Sequence, residues 1–241
     1  PRLVFLNGRF VSTLSRFEGI SGVEFESFAE VGDAGPAVKQ QISQFTPSED
    51  NPFRALNLAA LTDGAILRVA RGQVVEEPIQ VVFLTLGREG AVTHPRLLVV
   101  AEESAEVQLV ETHLTGPDTV YFSNAVTEVL VGENAVVDHT KLQLEAPQAF
   151  HLGTVEGRLG RSSSFTTTTV TLNGGLVRND TGAILAGEGG WAQLDGLYLT
   201  AEKRHIDNFT RIDHVSPNCS SRELYKGILD DYSTGVFRGR I

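Results

Sequence analysis

The sequence contains no methionine, one tryptophan and a single cysteine, Cys219, among 241 residues. One thiol excludes an intramolecular disulfide and suits a reducing compartment. No apolar run approaches the length needed to cross a bilayer, and no basic segment leads into an apolar stretch as in a secretory signal. Basic residues are also in deficit: 20 Lys and Arg face 30 Asp and Glu, a formal charge of −10. That balance argues against non-specific binding to nucleic acid or to an anionic membrane. The missing methionine and the start at Pro1 are expected of a fragment or a processed product. What is present, 41% hydrophobic and 21% charged residues, is the composition of a folded, water-soluble and cytoplasmic protein.

Helix signals are few. Residues Asn51 to Leu61 carry an N-cap (Asn51), a proline at the first helical position (Pro52) and apolar residues on roughly one face. Residues 30–50 hold Gly, Pro and Ser and read as a loop. From Ile66 onward nearly everything reads as strand: Ile79–Leu86, Leu97–Ala101, Val107–Leu114, Val120–Val131, Val136–Leu144, Phe165–Leu172, Leu176–Leu185 and Ala192–Leu199. Many of these alternate apolar with polar residues, and Gly, Asn, Asp and Ser clusters separate them. The organisation expected is an N-terminal part, 1–65, leading into a core over 66–241.

An internal repeat orders the strands. Segments beginning at Ala101, Val131, Leu159 and Ala186 each place a small or charged turn before a strand, and aligning Glu103, Glu133, Arg161 and Glu188 gives spacings of 30, 28 and 27. Evenly spaced hairpins of a sandwich would give the same pattern. A solenoid explains it more economically, because stacked coils repeat one turn in one place. Continuing the spacing past Glu188 reaches Val215, which puts the segment Ser216 to Cys219 in the same turn column.

Three stretches, YFSNAVTEVLVGENAVVDHTKLQ from Tyr121, GGLVRNDTGAILAGEG from Gly174 and DNFTRIDHVSPNCSSRELYKGIL from Asp207, resemble the SufB/SufD family. NPFRALN at Asn51 and GVFRGRI at the C-terminal end extend the resemblance. The pattern His214-x-x-Pro217-x-Cys219-x-Ser221-x-x-x-Tyr225-Lys226-Gly227 points to its SufD branch. The resemblance implies an all-β fold, a single-stranded right-handed parallel β-helix with little helix. It also implies a non-catalytic scaffold in iron–sulfur cluster assembly, with a SufB-like subunit and a SufC-like ATPase as partners. The family's helical regions and its C-terminal Lys-Cys-Ser-His-Gly motif have no counterpart here, so the ATPase-docking region is expected to lie outside this chain.

Cys219 and His214, five residues apart, are the candidates for cluster, iron or sulfur transfer, since a thiolate and an imidazole both ligate iron. A buried packing thiol and a hydrogen-bonded turn histidine are the plainer alternatives. One cysteine cannot hold a conventional cluster, so no stably bound cofactor is expected, and at most a transient cluster shared with a partner. Tyr225, Lys226 and Phe237 are candidates for a partner interface or for homodimerisation, because a final coil leaves backbone groups open to strand addition. Asn179–Asp180 and Asp207–Asn208 read as corner residues that satisfy backbone groups. A carbohydrate-active β-helix enzyme is the alternative function. Low aromatic content, 7%, and scarce long loops after Ile66 weigh against it. A purely structural homodimeric solenoid is a third reading.

Overall fold

The structure, a computed structural model, describes residues 1–17, 20–31, 51–86, 90–116 and 120–241. Its strands form two long ladders. Sheet A contains β1 (Arg2–Leu6), β2 (Arg9–Phe10), β5 (Ile79–Thr85), β8 (Glu106–Thr115) and β10 (Val136–Leu144). It continues through β12 (Ser164–Thr171), β14 (Trp191–Thr200) and β16 (Ser220–Leu229). Sheet B runs through β3 (Val23–Ser27), β4 (Gly64–Val69), β7 (Arg96–Ala101), β9 (Tyr121–Val131) and β11 (Phe150–Leu159). It ends with β13 (Leu176–Leu185), β15 (His205–His214) and β17 (Thr234–Arg240), while the short β6 (Ala91–Thr93) pairs with β9.

From β7 onward successive strands alternate between the sheets, and each pairs in parallel with the strand two places on: β8 with β10, β10 with β12, β9 with β11 and so on. This is a parallel β-solenoid of about six turns. The N-terminal strand β1 pairs in parallel with β5 and so belongs to sheet A, whereas β3 lies antiparallel on β4.

The repeat detected in the sequence is the turn between a sheet B strand and the next sheet A strand. One residue per turn takes a left-handed conformation: Ser104, Asn134, Ser162, Gly189 and Asn218, with φ between 52° and 72°. Asn and Gly tolerate this region best, and the serines are held by the ladder around them. The backbone N–H of Ser104 donates to Glu133 O, that of Asn134 to Arg161 O, that of Ser162 to Glu188 O and that of Gly189 to Pro217 O. The column therefore continues at Pro217, two residues beyond Val215, and the Ser216–Cys219 segment sits where the repeat places it.

Among the described residues two α-helices lie outside the coils, α1 (Phe28–Val31) and α2 (Pro52–Ala59). Asn51 caps α2 as expected: its Oδ1 accepts from the backbone N–H groups of Phe53 (3.0 Å) and Arg54 (3.2 Å). Of the loop expected over 30–50, residues 30 and 31 belong to α1 instead, and the rest lies outside the described residues. Helix α2 rests on the outer face of sheet B through buried polar contacts. Arg54 Nη2 meets Glu156 Oε2 at 2.7 Å, and Asn57 Nδ2 donates to the carbonyls of Pro95 (3.0 Å) and Asn124 (2.8 Å). Arg96, itself buried, pairs with Glu128 at 2.7 Å on the same face.

Candidate functional site

Side chains alternate in and out along each strand, so alternate residues of facing ladders fill the space between the sheets. The filling is divided lengthwise. At the turn that begins each sheet A strand the interior is apolar, with Val107, Val137, Phe165 and Ala192 stacked in one register and Leu159, Ala183 and Leu185 opposite. Towards the other end of the same strands it becomes polar. Glu111, Lys141 and Thr169 form one buried register, and His113, Gln143 and Thr171 form the next. His151, Asn179 and Asn208 face them from sheet B. A stripe of sealed polar side chains thus runs along the solenoid axis.

The stripe holds two hydrogen-bonded clusters, one on Glu111 and one running from Glu145 to Lys141 and Asn208. Glu111 is its first hub: Oε1 lies 2.6 Å from His113 Nε2, while Oε2 accepts from Thr127 Oγ1 at 2.6 Å and lies 3.1 Å from His139 Nε2. His139 Nδ1 in turn lies 3.0 Å from Thr167 Oγ1. Glu145, in the turn after β10, is the second hub. Its Oε1 accepts a short hydrogen bond from the Tyr121 hydroxyl, and Gln143 Nε2 reaches its Oε2 at 3.3 Å. Lys141, fully buried, sends its Nζ to His151 Nε2 (3.0 Å) and Asn179 Oδ1 (3.2 Å). Asn179 passes the chain to Asn208 at 3.2 Å. Asn179 and Asn208 therefore lie in mid-strand inside the coil, not at its corners, because the register turns them inward.

Gly153 makes this arrangement possible. Its position faces inward in β11, beside Asn179, and a methyl group there would fall inside contact distance of Lys141 Nζ and 2.7 Å from His151 Nε2. The lysine ammonium occupies the volume that any other residue would need.

Charge distribution follows from these contacts. Burial alone would raise the Glu111 carboxyl, but hydrogen bonds and charge from His113 and His139 overcome it and hold the group well below the usual range. Glu145 is likewise lowered against the cost of burial, by His151, His113 and Tyr121. His151 is pushed down to about 4, chiefly by burial, with Glu145 opposing and Lys141 reinforcing the shift. Burial also lowers Lys141, against the pull of Glu111, Glu145 and Asp180. At neutral pH the stripe holds two carboxylates beside neutral His151.

The residues singled out from sequence lie elsewhere. Cys219 sits half-buried at the turn before β16, where its Sγ donates to the carbonyls of Gly187 (3.3 Å) and Pro217 (3.5 Å) and packs against the apolar core. His214 is exposed at the end of β15, with Nε2 2.9 Å from Ser221 Oγ. The two flank one turn and have separate partners. Tyr225 points inward over Gly196 and stacks on Phe237 at 4.9 Å, whereas Lys226 points outward from the same strand and is exposed. Phe237 is 45% exposed on β17.

A second polar region lies on the outer face of sheet B beside α2. A groove of about 360 Å³ is bounded by Arg54, Glu156, Arg178, Asp180, Phe209 and Arg211. Its charges are paired: Arg178 contacts Asp180 (2.9 Å) and Asp207 (2.7 Å), and Arg211 reaches Glu156 at 3.6 Å.

Residues 83–241 match the family described as SUF system FeS cluster assembly, SufBD core domain. This chain belongs to the SufBD family. Along its whole length it is 28% identical to an iron–sulfur cluster assembly SufBD family protein of Synechocystis and 26% identical to the iron–sulfur cluster assembly protein SufD of Escherichia coli. It covers 55% of each of those proteins, so the chain spans about half the length of the curated relatives it matches. Over 83% of the chain it is 27% identical to the iron–sulfur cluster assembly protein SufB of Bacillus subtilis, covering 43% of that protein. SufD and SufB relatives thus lie at nearly equal distance, and the assignment to iron–sulfur cluster assembly holds for both. Among the described residues no helix is long and apolar enough to cross a membrane.

Proposed function

We propose that this chain is the solenoid part of a SufD-like scaffold subunit, one that catalyses no bond change itself and pairs with a SufB-like subunit and a SufC-like ABC-type ATPase. The match of residues 83–241 to the SufBD core carries this reading. The Pro217-x-Cys219 to Gly227 pattern supports the SufD side of it. The ladder supports a scaffold: each coil is hydrogen-bonded in register to the next, giving a stiff rod on which partner surfaces keep fixed spacing.

A cluster, the cargo of such a complex, requires several soft ligands, and this chain offers one thiol. A transient cluster is therefore shared with the partner, with Cys219 and the exposed His214 contributing from one turn. Lys226, Ile228 and Phe237 are exposed on β16 and β17 and supply the surface for the SufB-like solenoid. A homodimer through the same strands is the competing use of that surface.

The test is a pull-down of the chain and its Cys219→Ala variant against SufB-like and SufC-like proteins, followed by anaerobic cluster reconstitution. Stable capture of the SufB-like partner, with cluster yield lowered by the substitution, is the expected result. Capture with unchanged yield would remove Cys219 from the cluster path, and no capture of either partner would overturn the scaffold reading for this part of the protein.

A further inference from the structure

We infer that the sealed polar stripe contains a binding site for a divalent transition-metal ion, built from His113, Glu145 and His151. One nitrogen or oxygen from each of these three buried side chains lies within 4.8 Å of the others. The imidazoles of His113 and His151 meet edge to face, with ring centroids 4.7 Å apart. A first-row ion sits about 2.0–2.2 Å from each ligand, so closing this trio on an ion requires side-chain movement on the order of 1 Å.

Three further observations point to a ligand. His151 Nδ1 lies 2.9 Å from Glu145 Oε2, yet the pair is not aligned for a hydrogen bond, leaving a fully buried nitrogen aimed at a carboxylate without a satisfied proton. A metal ion that takes the place of the Nδ1 proton would engage both atoms. The surroundings already orient the ligands: Glu111 engages His113 Nε2, and Tyr121 and Gln143 hold the Glu145 carboxylate. A carboxylate on the far nitrogen of a histidine is the arrangement that fixes metal-binding imidazoles elsewhere and leaves the other nitrogen for the ion. Last, the trio brings a buried carboxylate, Glu145, to the two imidazoles, and a second, Glu111, backs His113, so an added cation meets anions inside the coil.

Two imidazoles and one carboxylate select a borderline ion such as Fe²⁺, Co²⁺ or Zn²⁺ over Mg²⁺ or Ca²⁺, which prefer an all-oxygen shell. The site is distinct from Cys219 and does not depend on the scaffold reading, since it would serve equally to lock the coils. Because it is enclosed, loading accompanies folding and not simple diffusion into the finished coil.

The chain, unfolded with a chelator and refolded with Co²⁺, is expected to retain about one cobalt per chain after desalting, with visible bands of a nitrogen–oxygen site and no thiolate charge-transfer band. His113→Gln, Glu145→Gln and His151→Gln, each checked for native circular dichroism, are expected to lose at least tenfold of the retained cobalt. Thr169→Val, in the same stripe, and Cys219→Ala are expected to keep it. Wild-type retention below about 0.2 cobalt per chain overturns the site whatever the variants do. So does retention in all three folded ligand variants, or loss in Cys219→Ala.

Discussion

Replacing a strand glycine by alanine ordinarily stabilises a protein by about 0.4–1 kcal/mol, because it narrows the unfolded ensemble. Gly153 lies in β11 with an unexceptional backbone, so conformation alone predicts that gain for Gly153→Ala. The interior reverses the sign. The added methyl takes the space of Lys141 Nζ, and displacing that group breaks its contacts with His151 Nε2 and Asn179 Oδ1. Losing two charge-assisted hydrogen bonds costs roughly 1.5–3 kcal/mol each, so the net change is about 2–5 kcal/mol of destabilisation. The assay is a double-mutant cycle by urea unfolding at neutral pH. Methionine is one atom shorter than lysine, so Lys141→Met frees the contested volume. In that background the methyl still approaches His151 Nε2 at 2.7 Å, so Gly153→Ala stays mildly destabilising but loses its larger penalty, giving a coupling energy of about 2–3 kcal/mol between the two positions. Additive effects within about 0.5 kcal/mol would refute the placement of the Lys141 ammonium against Gly153.

Other consequences can be checked in the same way. Glu156→Ala leaves buried Arg54 without its anion and is expected to cost about 3–5 kcal/mol, with faster amide exchange confined at first to residues 52–59. Unchanged exchange there would mean that the ion pair does not hold α2. Asn51→Ala removes the α2 cap and the 3.1 Å contact to Asp180, for a loss of about 1–2 kcal/mol in urea unfolding. In metal-free buffer the fold is expected to be acid-labile. With His151 at about 4 in the folded chain and an ordinary value of 6.5 when unfolded, the unfolded state takes up the proton first. Stability is therefore full above about pH 6.5 and falls as pH drops towards 4, by roughly 2 kcal/mol at pH 5. The depressed carboxyl of Glu111 extends the loss below its ordinary range near 4.5. His151→Gln should flatten the slope between pH 6.5 and 5, and an unaltered slope would show that another group carries it.

The solenoid was legible because its turns repeat in kind: Ser104, Asn134, Ser162, Gly189 and Asn218 meet one steric demand at one interval. The polar stripe was not, for a specific physical reason. In β10 the alternation Val136, Asp138, Thr140, Leu142, Leu144 looks more apolar than Val137, His139, Lys141, Gln143, yet the second set faces inward. Reading a buried face from polarity fails where the interior itself is half polar. It was the stacking that held the signal. Counting eight residues on from Glu103, Glu133, Arg161 and Glu188 reaches Glu111, Lys141, Thr169 and Gly196, which are ladder neighbours. A negative, a positive, a hydroxyl and a gap in one register is a pattern that surface exposure does not require. Carrying the count on from Pro217 reaches Tyr225, whose ring fills the gap left by Gly196. The same count places Tyr225 inside the coil and leaves Lys226 as its outward neighbour. Within this strand, residues available to a partner are therefore set by the stacking register, and the exposed outward residues include Arg222, Leu224, Lys226 and Ile228.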